Sequence, residues 1–203
     1  MTVPQTIGIY LYKDAEVLDF AGPFEVFNTA ARVSKRIHPE SSEVRFMVVT
    51  IAENPGIVSA RAGLLVMPDF VISQHPPLDV LIVPGGIHMA EMEKPQVLRW
   101  VRRVNSETQI TAAVCTGAFI LGKAGILNDL NVTTHWEDIP DLQALLPGCN
   151  VLENARWVDE GHIVTSAGIS AGIDMALHLV SRLEDEALAV MTARQMEYDW
   201  QKR

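Results

Sequence analysis

Short apolar runs alternate along the chain with longer segments in which apolar residues recur at helical spacing. The runs are rich in β-branched residues and have the length of strands that are buried on both faces of a sheet. The clearest of them are residues 6–12, 44–51, 80–83 and 109–114. Strands that alternate with helices predict an α/β fold with a doubly wound, mostly parallel sheet and helices on both of its faces.

Six segments have the apolar spacing of helices. Pro23 suits the first turn of helix one, where its missing N–H is not needed, and Phe24, Phe27 and Ala31 continue its apolar face. The other five helices are expected at residues 94–105, 117–124, 137–145, 173–182 and 185–200. Residues 57–67 are expected to form a hairpin or an edge excursion. Short strands near residues 132–136, 151–153, 156–159 and 162–166 complete the predicted elements.

Composition and charge narrow the class of protein. The 203 residues are 48% hydrophobic and contain no repeat or linker, which predicts one globular domain over residues 1–203. Apolar runs are too short for a membrane span and residues 1–5 lack a secretion signal, so we expect a cytoplasmic protein with no membrane partner. A net charge of −9 opposes nucleic-acid binding, which requires a basic face.

Candidate chemistry centres on the end of the strand at residues 109–114. Cys115 stands where this strand meets Gly117 and a helical pattern, which is the strand-to-helix arrangement of a nucleophile elbow. The amino terminus of that helix is expected to point its positive dipole end at the sulfur and favour the thiolate. A second interpretation stays open, because free cysteines are among the residues most often buried for packing alone.

Other polar residues are expected at the same edge of the sheet. Asp19 follows strand one, Gly85 and Gly86 follow the strand at residues 80–83, and His135 ends a short strand. Ligands bind at the carboxyl ends of parallel strands, so these groups can meet Cys115, and backbone N–H groups of the glycine turn can form an oxyanion hole. Taken singly, Asp19 also fits a helix-capping role and His135 an interior hydrogen-bonded role.

The remaining cysteine and histidines are weaker candidates for a functional role. Cys149 follows Pro147 and Gly148 with no acid or base nearby, which indicates an incidental thiol. His88 follows the glycine turn and could line a pocket, but a solvated loop histidine is the favoured interpretation. The histidines and cysteines lack metal-ligand spacing, so no metal is expected.

Five ordered motifs resemble the ThiJ/PfpI superfamily. They are Leu18-Asp-Phe-Ala-Gly-Pro-Phe-Glu-Val-Phe27, Val83-Pro-Gly-Gly86, Val114-Cys-Thr-Gly117, Thr133-Thr-His-Trp136 and Ala167-Gly-Ile-Ser-Ala-Gly-Ile-Asp174. The resemblance implies a flavodoxin-like sheet of the class I glutamine amidotransferase-like fold. Within the superfamily, the motifs are similar to those of isonitrile hydratases and of the amino-terminal domains of arabinose-operon-activator-type regulators.

The resemblance also assigns roles by position. It implies that Cys115 is the nucleophile, that Asp19 is the acid, that Thr116 is the neighbour at the elbow, and that His135 lies near the cysteine. The residues that it implies for substrate or oxyanion binding are Gly85, Gly86, Ile87 and Gly117. Peptidase branches place a histidine directly after the cysteine, so Thr116 argues against peptide hydrolysis.

The reaction that the resemblance implies is cofactor-free hydration of an isocyanide to an N-substituted formamide, which makes the small-molecule substrate the main partner. Two alternatives stay open: glyoxalase- or deglycase-type chemistry on a reactive carbonyl, and a non-catalytic small-molecule or redox sensor that uses Cys115. The superfamily usually dimerises, so a homodimer is expected. The helix-turn-helix region of the regulators would follow the last residue, Arg203, so DNA binding of that kind is not expected.

Overall fold

The computed structural model describes residues 4–40 and 44–202 of the chain. Residues 1–3, which belong to the amino-terminal stretch 1–5 that is predicted to lack a secretion signal, lie outside the described residues. Within the described ranges, no helix is both long and apolar enough to cross a membrane.

A seven-stranded sheet forms the centre of the molecule, in the order β10-β11-β7-β6-β1-β2-β5. Its neighbouring strands are parallel except for the β10 and β11 pair, which confirms the predicted mostly parallel sheet. The strands are β1 Gln5–Leu11, β2 Phe46–Ala52, β3 Val58–Ser59, β4 Leu65–Val66, β5 Phe70–Val71, β6 Val80–Val83, β7 Ile110–Val114, β8 Asn131–Val132, β9 Asn150–Val151, β10 Trp157–Asp159 and β11 Ile163–Ser166.

The helices pack in two groups, as the doubly wound prediction requires. One group contains α1, α6 and α7, and the other contains α2, α3, α4 and α5. The helices are α1 Val17–Ile37, α2 Met89–Met92, α3 Pro95–Asn105, α4 Gly117–Lys123, α5 Ile139–Leu145, α6 Ala171–Leu183 and α7 Glu186–Gln195. Apolar side chains of both groups and of the sheet form one continuous buried cluster.

The direction in which the chain winds changes beside β1. From β1 the chain continues to β2 on one side, and later to β6 and β7 on the other. Ligand sites of open α/β sheets lie at such a switch point, outside the carboxyl ends of the strands. Here the loops that follow β1 and β6 are joined, since Glu16 N–H donates to Gly85 O at 2.9 Å and Ile87 N–H donates to Asp14 O at 3.1 Å.

Three predicted elements need correction. Helix one begins at Val17 rather than near Pro23, because the backbone turns into the helix directly after the extended residue Glu16. The last helix ends at Gln195 and not at residue 200, since Glu197 adopts a left-handed conformation at φ 51°. The strand that precedes His135 is β8, which lies outside the central sheet and forms a separate two-stranded sheet with β9.

Gly117, at the first turn of α4, provides a test of how tightly the elbow is packed. A Cβ atom there would collide with the carbonyl oxygen of Val83 and lie 3.0 Å from that of Pro84. These are backbone atoms that cannot rotate away, so Gly117→Ala should lower the free energy of unfolding by about 2 kcal/mol or more. Gly148→Ala is the matched control, because its Cβ would meet only a side-chain oxygen of Asp129 at 3.2 Å. Chemical denaturation of both variants would measure the difference, and equal stabilities would contradict this packing.

Candidate active site

Cys115 occupies the sharp turn between β7 and α4. Its φ angle is +57°, a left-handed conformation that costs a residue other than glycine about 1–2 kcal/mol. Two contacts hold the turn: Cys115 N–H donates to Ser166 O at 3.1 Å, and the Thr134 hydroxyl donates to Cys115 O at 2.8 Å. Strained backbone of this kind is concentrated at functional sites, and the geometry is the nucleophile elbow that the sequence predicts.

The carboxylate of Asp19 is fully buried beside this turn. It does not cap α1, because the N-cap position belongs to Glu16. Instead it accepts hydrogen bonds from Gly85 N–H at 3.0 Å and from Ile169 N–H at 3.1 Å. Gly85 has to be glycine for this approach, since a Cβ atom would lie 2.6 Å from Thr116 N and 2.8 Å from the Asp19 oxygen.

Burial changes the proton affinity of both groups. Removal from water raises the pKa of Asp19 to about 6, although the hydrogen bond from Gly85 acts in the opposite direction. Burial also raises the pKa of the Cys115 thiol, and the negative charge of Asp19 raises it further. A hydrogen bond from the Thr116 backbone opposes this rise without cancelling it.

The expected stabilisation of a Cys115 thiolate by the helix is therefore wrong. α4 has only seven residues, and desolvation together with the neighbouring carboxylate raises the pKa of the thiol. Near neutral pH the pair consists of a neutral thiol and an ionised Asp19, and a side-chain hydrogen bond links the two groups.

The turn after β6 is held by hydrogen bonds within the protein. Gly86 N–H donates to the Thr116 hydroxyl at 3.0 Å, and the same hydroxyl lies 3.1 Å from Gly86 O. Gly85 N–H is bound to Asp19 and Ile87 N–H to Asp14 O. The N–H groups of Gly85 and Gly86, predicted as oxyanion donors, and of Ile87, predicted to bind oxyanion or substrate, therefore already have acceptors within the protein.

A cavity of about 280 Å³ opens over the elbow. Its lining includes the thiol together with neutral and basic polar groups, namely Cys115, Thr116, Gly86, His88 and His135. Acidic side chains and one arginine also reach it, namely Glu16, Glu137, Asp138 and Arg61. A small polar molecule in this cavity would lie against the thiol and between two imidazoles.

His135 reaches this cavity from the turn after β8. Its Nε2 lies 3.4 Å from a carboxylate oxygen of Glu137, and its ring packs so closely on Gly168 that no Cβ atom would fit there. Among the described residues, no hydrogen bond joins His135 to Cys115. The structure therefore brings the imidazole and the thiol into one cavity without direct contact.

The sequence indicated one group of the site only as a disfavoured alternative, His88, and gave no sign of another, Asp138. His88 is only 8% exposed and stacks on Phe119 with ring centroids 4.6 Å apart, so its interpretation as a solvated loop histidine is wrong. Asp138 was assigned only to a helix, yet its charge contributes to the raised pKa of Cys115. His88 had one sequence signal, its place directly after the glycine turn, whereas Asp138 has no motif of its own.

Cys149 and possible metal ligands lie apart from this chemistry. The Cys149 thiol is buried and donates to Leu127 O at 2.7 Å, which is a packing role. In the part of the chain that the structure describes, no group of three or more His, Cys, Asp or Glu residues could hold a metal ion.

With this geometry in place, comparison with known proteins identifies the family. The sequence model described as "DJ-1/PfpI family" matches residues 5–182. The chain belongs to the DJ-1/PfpI family. This confirms the resemblance that the five motifs carry, and solved structures agree with it. A THiJ/PfpI family protein from Pseudomonas syringae superposes with a TM-score of 0.84 at 26% identity, over 97% of this chain and 76% of that one.

Relatives within the DJ-1/PfpI family include an enzyme and transcriptional regulators. The chain is 32% identical to isonitrile hydratase from Pseudomonas putida, over 95% of this chain and 78% of that protein. It is 26% identical to the HTH-type transcriptional regulator GbdR from Pseudomonas aeruginosa, over 97% of this chain but only 51% of the regulator. The chain thus spans about half the length of that regulator, and the family includes both an enzyme and regulators.

The coupling between Asp19 and Cys115 can be tested by alkylation. Asp19→Asn removes the negative charge that raises the pKa of the thiol, so iodoacetamide should modify Cys115 severalfold faster at pH 8. Asp138→Asn should give a smaller increase, because Asp138 contributes less to that pKa. Peptide mass spectrometry would follow Cys115, with Cys149 as the internal reference. Unchanged or slower modification of Cys115 in Asp19→Asn would contradict the electrostatic coupling.

Proposed function

We propose that this protein is a cysteine-dependent hydratase of the isonitrile hydratase type, which adds water to an isocyanide and releases an N-substituted formamide. The observation that carries the proposal is the 32% identity to isonitrile hydratase over 95% of the chain. The thiol and carboxyl pair gives that similarity a chemical basis, since Cys115 lines a small cavity as a nucleophile and the buried Asp19 behind it is a proton acceptor.

The first half of the reaction uses both members of the pair. Asp19 takes the proton of the Cys115 thiol while a sulfur electron pair forms a bond to the terminal carbon of the isocyanide. The electron pair left on that carbon then takes the proton back from Asp19. The result is a covalent thioimidate, in which the former thiol hydrogen is on carbon and Asp19 is a carboxylate again.

The second half consumes water. The water oxygen bonds to the thioimidate carbon, and the nitrogen acquires one of the water protons. Collapse of this adduct forms the carbonyl group, breaks the carbon–sulfur bond and returns the second proton to sulfur. The sum is one isocyanide plus one water giving one formamide, with no oxidant or reductant consumed.

A second candidate function is small-molecule sensing without turnover. The observation that favours it is the 26% identity to a transcriptional regulator over 97% of the chain, since that relative is not named as an enzyme. Redox sensing through Cys115 is less well supported, because the raised pKa of its thiol disfavours the thiolate that peroxides oxidise.

Hydration of a panel of alkyl and aryl isocyanides would test the enzymatic function. Cys115→Ala and Asp19→Asn should each lower kcat/KM by about a hundredfold or more, because one removes the nucleophile and the other the proton acceptor. For the wild type, kcat/KM should fall as the pH drops below about 6, where Asp19 becomes protonated and can no longer take the thiol proton.

Cys149→Ala is the matched cysteine control and should keep wild-type activity. Turnover of isocyanides at the wild-type rate by Cys115→Ala would exclude this mechanism. Binding of an isocyanide or of methylglyoxal, seen as a raised melting temperature without any product, would favour the sensor.

We also propose that the protein is a homodimer. Support comes from large apolar side chains exposed on and beside the β3–β4 hairpin, which are Ile57, Leu64, Leu65 and Met67. Leu65→Asp should then give a monomer by size-exclusion chromatography with light scattering at micromolar concentration. Val190→Asp, an exposed position on α7, should leave the dimer intact. A wild type that is monomeric under these conditions would contradict the proposal.

A further inference from the structure

His88 and His135 both line the cavity, and the chemistry above gives neither imidazole a role. The His88 ring lines the cavity together with Cys115 and Thr116, and it rests on Phe119 of α4. Its Nδ1 lies 3.3 Å from Gly86 O, and its buried Nε2 has no hydrogen-bond partner among the described residues. A buried polar atom without a partner costs about 1–3 kcal/mol, so native proteins keep such atoms mainly where function uses them.

The contact with Gly86 determines which proton the ring carries. A carbonyl oxygen can only accept a hydrogen bond, so Nδ1 is the protonated nitrogen of the neutral ring. Nε2 then has a free electron pair and acts as an acceptor. The turn that follows β6 therefore presents an unused base beside the elbow.

The surroundings also suit a ring that becomes charged for a short time. Asp138 lines the same cavity, and its carboxylate interacts electrostatically with both His88 and His135. An imidazolium formed at His88 would therefore have a negative charge close to it. His135 is already near Glu137, which leaves His88 as the imidazole whose Nε2 is unpaired.

We propose that His88 Nε2 is the base that takes a proton from the water which releases the formamide from Cys115. The assignment rests on the proposed hydration. The water oxygen bonds to the thioimidate carbon while one O–H proton moves to Nε2 and the C=N electron pair moves onto nitrogen. The imidazolium then gives that proton to the nitrogen, and a neutral tetrahedral adduct is formed.

Collapse of the adduct completes the balance. The hydroxyl oxygen loses its proton as the carbonyl group forms, the carbon–sulfur bond breaks, and Asp19 carries that proton back to sulfur. His88 ends neutral, as it began. In this scheme Asp19 exchanges protons with the sulfur and His88 takes a proton from the water, so the two bases act on different groups.

Intact-protein mass spectrometry during turnover of benzyl isocyanide separates the two halves. His88→Gln should form the covalent adduct at nearly the wild-type rate but release it roughly a hundredfold more slowly, so the adduct should accumulate on Cys115. His162→Gln is the matched control and should not accumulate it, because the exposed His162 lies outside the cavity, and His135→Gln is measured beside it. Hydroxylamine attacks the adduct without needing a base, so it should release the adduct equally fast from His88→Gln and from the wild type.

Three results would overturn the assignment. One is turnover of His88→Gln at the wild-type rate. Another is loss of turnover without an adduct, while iodoacetamide still modifies Cys115 and the melting temperature is unchanged. The third is accumulation in His135→Gln instead. A wild type that yields neither adduct nor formamide would refute the proposed hydration itself and, with it, the role of His88. If His88→Gln does not fold, His88→Asn serves in its place, since its amide can still donate to Gly86 O.

Discussion

A carboxylate without access to water is the constraint on which the rest of the site depends. Asp19 belongs to the first turn of α1, but its two oxygens are held by backbone N–H groups from the turn after β6 and from the residues before α6. Loss of either loop contact would leave a buried charge partly unpaired, which is far more costly than the loss of a surface hydrogen bond. The carboxylate of Asp19 thereby holds together three segments that are distant in sequence, namely α1, the turn after β6 and the residues before α6.

The same carboxylate sets the protonation state of the nucleophile. Burial alone would make the Cys115 thiol a weak acid, and a negative charge beside it makes ionisation harder still. In the proposed hydration, attack on the isocyanide therefore requires a proton acceptor at that moment, because the resting thiol is not ionised. This distinguishes the elbow from cysteine sites that use an adjacent imidazole or a long helix to ionise sulfur in the resting state.

Local patterns explain what could be predicted from the sequence. The parallel strands, the elbow and the position of Asp19 at the switch point follow from apolar runs and from the residues directly beside them. The burial of His88 could not be predicted, because it depends on Phe119, a residue of another helix that is 31 positions away. The helix was expected to lower the pKa of Cys115, whereas burial raises it. A helix can be predicted from a sequence, but the desolvation of one side chain cannot. Pro23 was misleading because proline near the start of a helix does not mark its first residue.

The left-handed backbone at Cys115 has a consequence for how such proteins can diverge. Glycine adopts that conformation without steric cost. A Cys115→Gly substitution would therefore remove the backbone strain of the turn together with the sulfur. A lineage that needed only the cavity, for ligand recognition, could abandon the thiol with little loss of fold. In this chain the side chain is present despite the conformational preference of its position. A glycine at position 115 would therefore indicate a protein that keeps the fold and the cavity but has lost the thiol.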